Sequence, residues 1–172
     1  MGEAMSLDYA EFLQLLSVAG VSSSSTVPKR DGIPTSTVST ILSADQKLKQ
    51  IVVPALGPLG RFDLEVLWGF SSDSNTKTIK ITDDATGTVL LQTTGFGASQ
   101  SLRSFTSVAN QNNQKIQVAA SPGTVSAFGT GTALLNLTLD FTVPRTFNII
   151  GNISNAASTV TCADYKLSIS NS

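Results

Sequence analysis

Two acidic pairs and two glycine-rich runs are the places where this sequence could do chemistry. Asp63 and Glu65 stand two apart in an alternating stretch, which sets both carboxylates on one face of a strand, about 7 Å from each other and within the range of paired glycosidase acids. The same alternation sets them opposite Phe62, Leu64 and Val66, so they face water or a neighbouring molecule. No further acid or base flanks them in a recognisable pattern, and the preferred reading is solvated or interfacial charge. Asp83-Asp84-Ala85-Thr86-Gly87 offers oxygens to a calcium ion but lacks the repeated acidic spacing of a calcium loop; a tight turn explains it better. The glycines around Phe96 and Phe128 lack the Lys-Ser or Lys-Thr and the helix that a phosphate cradle needs, and they read as loops.

Histidine is absent from the 172 residues, which excludes every His-based triad and every His-ligated metal site. Serine is plentiful, but no Gly-x-Ser-x-Gly elbow is present. The single cysteine, Cys162, has no partner for an intrachain bridge. The short acylation pattern at residues 1–6 and the acceptor patterns at Asn136 and Asn152 are matches expected by chance in a chain this rich in Asn, Ser and Thr. The expectation is therefore no catalytic residue, no cofactor and no metal, and a protein that is not an enzyme.

Composition points the same way. Charged residues make up 13% of the chain, about half the usual share, while Ser, Thr and Asn supply roughly 30%. A surface of hydroxyls and amides has little repulsion to keep copies apart, so part of it is expected to be buried against other subunits. Formal net charge is −1 and the basic residues are scattered, which argues against nucleic acid or an anionic membrane as partner. The longest apolar runs fall short of a membrane span, and the opening residues show no signal-peptide pattern. A chain of this length buries about 68–70% of the surface its unfolded form exposes, enough for a core without disulfides.

The elements that would position these residues fall into three parts. Within residues 1–20, Tyr9, Phe12, Leu13 and Leu16 recur at the spacing of one helical face, with Ser6 placed to cap and Gly20 to terminate; the spacing predicts a short amphipathic helix. A helix this short is marginal alone in water, so its apolar face is expected to dock on its own domain, a sister subunit or a larger assembly. Residues 21–40, with their run of serines followed by Pro28, Gly32 and Pro34, read as an extended arm that cannot bury enough surface to order itself.

From about residue 41 to the end the period becomes two. Phe62, Leu64, Val66, Trp68 and Phe70 form one alternating strand, and Ala133 to Val143 is predicted as another, with Leu135, Leu137, Leu139 and Phe141 inward. Weaker strands are expected around residues 38–43, 48–53, 78–82, 88–93, 102–108, 115–119, 147–153 and 160–169, separated by turn chemistry. Eight to ten strands without intervening helices predict an all-β fold, an antiparallel β-sandwich of jelly-roll type, with an immunoglobulin-like order as the alternative. Phe62, Trp68, Leu135, Leu137, Leu139 and Tyr165 are expected in its core.

At Ile51 to Ile81, the string running from Ile51-Val-Val-Pro54 through the Pro-Gly turn to Leu67-Trp68, then Asn75-Thr-Lys-Thr-Ile79, resembles structural proteins of tailed bacteriophages. Asn155 to Ile169, with Tyr165-Lys-Leu167 in the last strand, resembles the closing hairpin of such domains. The likeness covers roughly residues 40–170 and excludes the N-terminal helix and arm. It implies jelly-roll domains that assemble as homotrimers on virions, bound to the major capsid protein or other virion proteins as capsid decoration or in head and tail fibres. It brings no catalytic residues.

The resulting expectation is a trimeric capsid decoration protein attached through Tyr9, Phe12, Leu13 and Leu16. The alternative is a tail-fibre module that recognises host glycans through the loops carrying Phe96 and Phe128. A shell-forming capsid protein is disfavoured by the lack of a basic arm for packaged genome. A glycan hydrolase is disfavoured by the lack of a supported acid and base pair.

Overall fold

The computed structural model describes residues 36–38, 44–96, 101–119 and 134–171. The helix predicted over residues 1–20, with Tyr9, Phe12, Leu13 and Leu16, lies outside the described residues, as does Phe128. Among the described residues there are ten strands and no helix: β1 (Ser36–Val38), β2 (Gln46–Val53), β3 (Arg61–Phe70), β4 (Lys77–Asp83), β5 (Val89–Thr94), β6 (Ser101–Asn110), β7 (Gln117–Ala119), β8 (Leu135–Leu137), β9 (Arg145–Ile153) and β10 (Val160–Ser170). Ser36–Val38, which the sequence places in the arm, pairs antiparallel with β10.

The strands form two sheets, one in the order β1-β10-β3-β6-β7-β8 and one in the order β2-β9-β4-β5. Every pairing is antiparallel. The chain changes sheet at each of its first three connections, so β1 and β2 are never neighbours, unlike the first two strands of an immunoglobulin-like sandwich.

Alternation dictates which side of each strand is dry. Along β3, Phe62, Leu64, Val66 and Trp68 have no exposure, while Arg61, Asp63 and Glu65 point to the other face. The inner faces of both sheets contribute to one apolar core. Phe62 of the larger sheet lies 5.1 Å, ring to ring, from Phe147 of the smaller one. Phe141 closes the cluster at 5.9 Å from Phe62 and 6.3 Å from Phe147. Each such ring contributes on the order of 1.5–3 kcal/mol by leaving water. The core assignments of Phe62, Trp68, Leu137, Leu139 and Tyr165 hold, and Leu135 is partly buried against the same cluster.

The strand predicted from Ala133 to Val143 is where structure and periodicity part. Only Leu135–Leu137 is strand; residues 138–144 follow an irregular path that still buries Leu139 and Phe141. Asp140 is the reason. Its Oδ1 accepts from the Thr142 amide at 3.0 Å and the Thr142 hydroxyl at 2.5 Å, a local turn that competes with the ladder. The freed backbone is satisfied elsewhere: the Leu139 amide donates to Gln117 Oε1 at 2.9 Å and the Phe141 amide to the Gln114 carbonyl at 2.9 Å.

Candidate functional site

The acidic residues that the sequence offered for chemistry are all engaged. Asp63 Oδ1 accepts from Arg61 at 2.9 Å (Nε) and 2.8 Å (Nη2), and Glu65 pairs with Arg103. Both lie on the outer face of the larger sheet, Glu65 between Lys166 of β10 and Phe105 of β6. A hydrolytic pair needs one acid free to give its proton and one base free to take it; here each carboxylate is occupied by a guanidinium.

The Asp83-Asp84 pair is likewise consumed by the fold. Arg145 clamps Asp83 with Nε at 2.9 Å from Oδ1 and Nη2 at 2.6 Å from Oδ2, and the Thr86 amide and hydroxyl reach Oδ2 at 2.8 and 2.7 Å. Burial alone would raise the Asp83 carboxyl, but Arg145 and Thr86 hold it below the ordinary carboxylate value. Asp84 Oδ1 accepts from Lys47 at 2.6 Å and from Asn148 at 2.8 Å, which lowers it too. The tight-turn reading stands: Gly87, at a φ of 70°, closes this hairpin with its amide on the Asp83 carbonyl at 2.9 Å. Among the described residues no three His, Cys, Asp or Glu side chains gather where a metal could sit.

Phe96, proposed from sequence as an exposed ring for stacking on sugars, instead lies flat on Phe70 with centroids 4.5 Å apart and is partly buried against the core. The aromatic ring exposed among the described residues is Phe105, half open on the outer face of the larger sheet. Its strand was legible in the sequence, but which face it occupied was not.

A different region emerges as the best-built surface. The connections 54–60, 84–88, 111–116 and 138–144 and the end of β10 all lie at one end of the two sheets, as the strand pairings require. Three of these connections are braced by side-chain amides. Gln117, fully buried, donates Nε2 to Asn110 Oδ1 at 3.1 Å and to the Gln114 carbonyl at 2.9 Å, and takes the Leu139 amide on Oε1. Asn110 Nδ2 donates to the Gly57 carbonyl at 2.7 Å, and Gln114 Nε2 donates to the Leu56 carbonyl at 2.6 Å. The Leu56 amide donates to the Phe141 carbonyl at 3.0 Å, the Asn110 amide to the Gly60 carbonyl at 2.9 Å, and the Gly57 amide to Asn171 Oδ1. Buried and mutually satisfied, such a network fixes loop backbones that would otherwise drift.

Outside this brace stand apolar side chains. Leu59 is 60% exposed, Val52 55%, Val143 51% and Ile116 48%. The charges beside them are paired within the chain, Lys115 with Asp140 at 3.2 Å and Arg145 with Asp83. This end therefore combines loops braced by side-chain amides, charges compensated within the chain, and four large exposed apolar side chains. Turn chemistry was legible between the strands expected at 102–108 and 115–119, but nothing in the sequence signalled that side-chain amides would brace three separate connections.

No protein-family model matches the chain, and no curated protein does. Among solved structures it is similar to a lectin from Bauhinia forficata in complex with GalNAc, at 9% identity and a TM-score of 0.39, over 86% of this chain and 99% of the lectin. It is also similar to VP2 of infectious bursal disease virus, seen as a subviral particle, at 12% identity and a TM-score of 0.36, over 85% of this chain. The chain spans 32% of that VP2 chain.

Proposed function

We propose that this chain is a non-enzymatic structural protein of a bacteriophage virion: a jelly-roll sandwich that assembles as a homotrimer, decorates the capsid, and attaches through its N-terminal segment. The observation that carries the reading is the winding of the strands. β1-β10-β3-β6 faces β2-β9-β4-β5, with β7 and β8 added at the edge of the larger sheet, the order of an eight-stranded chain folded as two Greek keys. Fold alone does not set function, so the second support is chemical: the acidic pairs offered by the sequence are spent on ion pairs and turns. The charge-poor composition favours contact between copies.

The test is to locate the chain on whole particles by imaging. Hundreds of copies on the head support decoration, and a handful on the tail transfer the chain to the alternative below. Deleting residues 1–30 is expected to abolish attachment to bare particles; unchanged attachment refutes the anchoring role of Tyr9, Phe12, Leu13 and Leu16.

The alternative, a tail module that binds host glycans, rests on Phe105 instead of Phe96. Its half-open ring lies directly across from Glu65, whose neighbour Arg103 completes a small polar and aromatic platform. Binding to immobilised host polysaccharide that Phe105→Ala removes would favour it.

A further inference from the structure

We infer that the outer edge of β5 is a contact between two copies of this chain, which pair β5 to β5 antiparallel about a two-fold axis at Thr93 and join their smaller sheets into one. The inference goes beyond the virion reading and does not rest on it. It starts from the edges of the two sheets, β1 and β8 in the larger and β2 and β5 in the smaller. An open edge accepts any other strand, and proteins blunt it by shortness, charge or a bulge. β1 and β8 are three residues each. β2 carries Lys47 and Lys49, with its register broken between them. β5, Val89-Leu-Leu-Gln-Thr-Thr94, has no charge, proline or glycine; its register breaks only at its start, which leaves Leu91 to Thr94 regular.

The ladder fixes which backbone groups wait at that edge. The Gly95 amide donates to the Lys77 carbonyl at 3.1 Å, and along an antiparallel strand the bonds to one neighbour come from every second residue. Thr93 and Leu91 therefore bond to β4, opposite Ile79 and Ile81, while the amides and carbonyls of Gln92 and Thr94 point away from the sheet. A second β5 placed with Thr93 opposite Thr93 sets Gln92 of each copy against Thr94 of the other. Every one of those outward amides then meets a carbonyl.

Charge and an idle hydroxyl select a second copy as the occupant. A two-fold contact sets a strand against itself, so a charged edge repels its own copy. β2 would bring lysines together; β5 brings only Gln and Thr. The cation nearest in register, Lys80 across from Gln92, is paired with Asp45 at 2.7 Å. It would stand at least about 14 Å from its mate by strand spacing, beyond the reach of exposed charges in physiological salt. The Thr93 hydroxyl makes no hydrogen bond among the described residues, and the axis sets the same hydroxyl of the second copy beside it. A two-fold contact cannot close a trimer, so this one joins single copies or whole trimers in pairs.

Two measurements on the full chain test it. Thr93→Cys places a thiol on the axis at the spacing of a cross-strand pair, and Cys162 is buried and does not compete. Under mild oxidation Thr93→Cys is expected to give a disulfide-linked pair of chains, and Gln50→Cys on the β2 edge is not. Sedimentation from micromolar to roughly 1 mM compares wild type with the double variant Gln92→Lys, Thr94→Lys, whose lysines face each other across the axis. Both native side chains are exposed, and the emission of the single tryptophan checks folding. The lysine variant is expected to dissociate at least roughly tenfold more readily, and mixing it with Gln92→Glu, Thr94→Glu to restore the contact. Equal masses for wild type and the lysine variant overturn the inference, as does a Thr93→Cys chain that folds and stays single. Slow hydrogen exchange of the Gln92 and Thr94 amides in a dilute monomer overturns it too, because the chain then covers this edge itself. None of these results touches the virion reading, which the location of the chain on particles decides.

Discussion

The ammonium of Lys77, without any exposure, stands 2.9 Å from Oδ1 of Asp73, four residues earlier in the chain. The carbonyls of Asp73, Asn75 and Phe96 complete its cage at 3.3, 3.3 and 3.2 Å. Asp73 also binds the Ser71 hydroxyl at 2.5 Å and the Ser158 hydroxyl at 3.0 Å, so the pair ties the β3–β4 and β9–β10 connections together at the end opposite the amide brace. Breaking a buried pair strands a charge, whereas removing both partners does not. Asp73→Ala is expected to lower the thermal unfolding midpoint more than the double variant Asp73→Ala, Lys77→Met. A double variant no more stable than the single one would show that the cation needs only its carbonyls.

Acid should unfold this protein late and over a broad range. Asp73 is held below its ordinary value by the Ser71 hydroxyl and Lys77, and Asp140 is brought down to about 2 by the Thr142 hydroxyl and amide. A carboxyl whose folded value is depressed stabilises the fold fully above its unfolded value near 3.8, and that contribution is lost as pH falls through the folded value. With no histidine to titrate, stability measured by urea unfolding should be flat from about pH 5 to 8 and decline progressively below about 4. A step between pH 5 and 7 would contradict this.

Cys162 should be inert while the chain is folded. It is buried, and desolvation, helped by Asp164, pushes its thiol up to about 11. A raised value means the neutral thiol is favoured by folding, a contribution present below the unfolded value near 9 and lost as pH rises through the folded one. An aromatic disulfide reagent at pH 8 is expected to react only after denaturant is added; rapid labelling of the native protein would refute the burial.

Two substitutions on β6 should act in opposite directions. The Trp68 indole donates to the Ser104 hydroxyl at 2.8 Å inside the core, so Ser104→Ala leaves a buried donor unmet and should cost about 1–3 kcal/mol. Thr106, two residues on, buries a hydroxyl that makes no hydrogen bond among the described residues. Thr106→Val keeps the shape and is expected to stabilise the protein. Denaturant titration followed through the single tryptophan reads both.

Gly60→Ala should disorder the amide-braced end. A Cβ there would sit 2.7 Å from Leu56 Cβ and 3.0 Å from the Gly57 nitrogen and oxygen, so the 57–60 turn and its bond from the Gly60 amide to the Gly57 carbonyl must shift. Hydrogen exchange at Leu56, Gly57 and Asn110 is expected to rise while the β3–β10 ladder stays protected. Unchanged exchange would show that the turn absorbs the methyl.

Period-two patterning made the all-β class and most of the core legible, because burial on one face of a strand leaves a mark every second residue. It failed at residues 138–144 because Leu139 and Phe141 keep the alternation of buried side chains while their amides bond to Gln117 and Gln114 instead of a strand. Phe96 was misplaced for a related reason: a ring next to glycines reads as exposed, but Phe70 lies in reach to stack on it. The loop end left no pattern, since Asn110, Gln114 and Gln117 are ordinary turn and strand residues until the fold brings three connections within reach.

The last two strands occupy interior positions, β10 between β1 and β3 and β9 between β2 and β4. Neither sheet can close until β9 and β10, Arg145 to Ser170, are in place, so a chain cut before them has two open seams and no native core. Four of the eight strand pairings among the described residues join β9 or β10 to β1, β2, β3 or β4, and such long-range closure slows folding and leaves strand edges unpaired in the meantime. A chain cut before Arg145 therefore lacks an interior strand of each sheet, and such a truncation is expected to abolish folding.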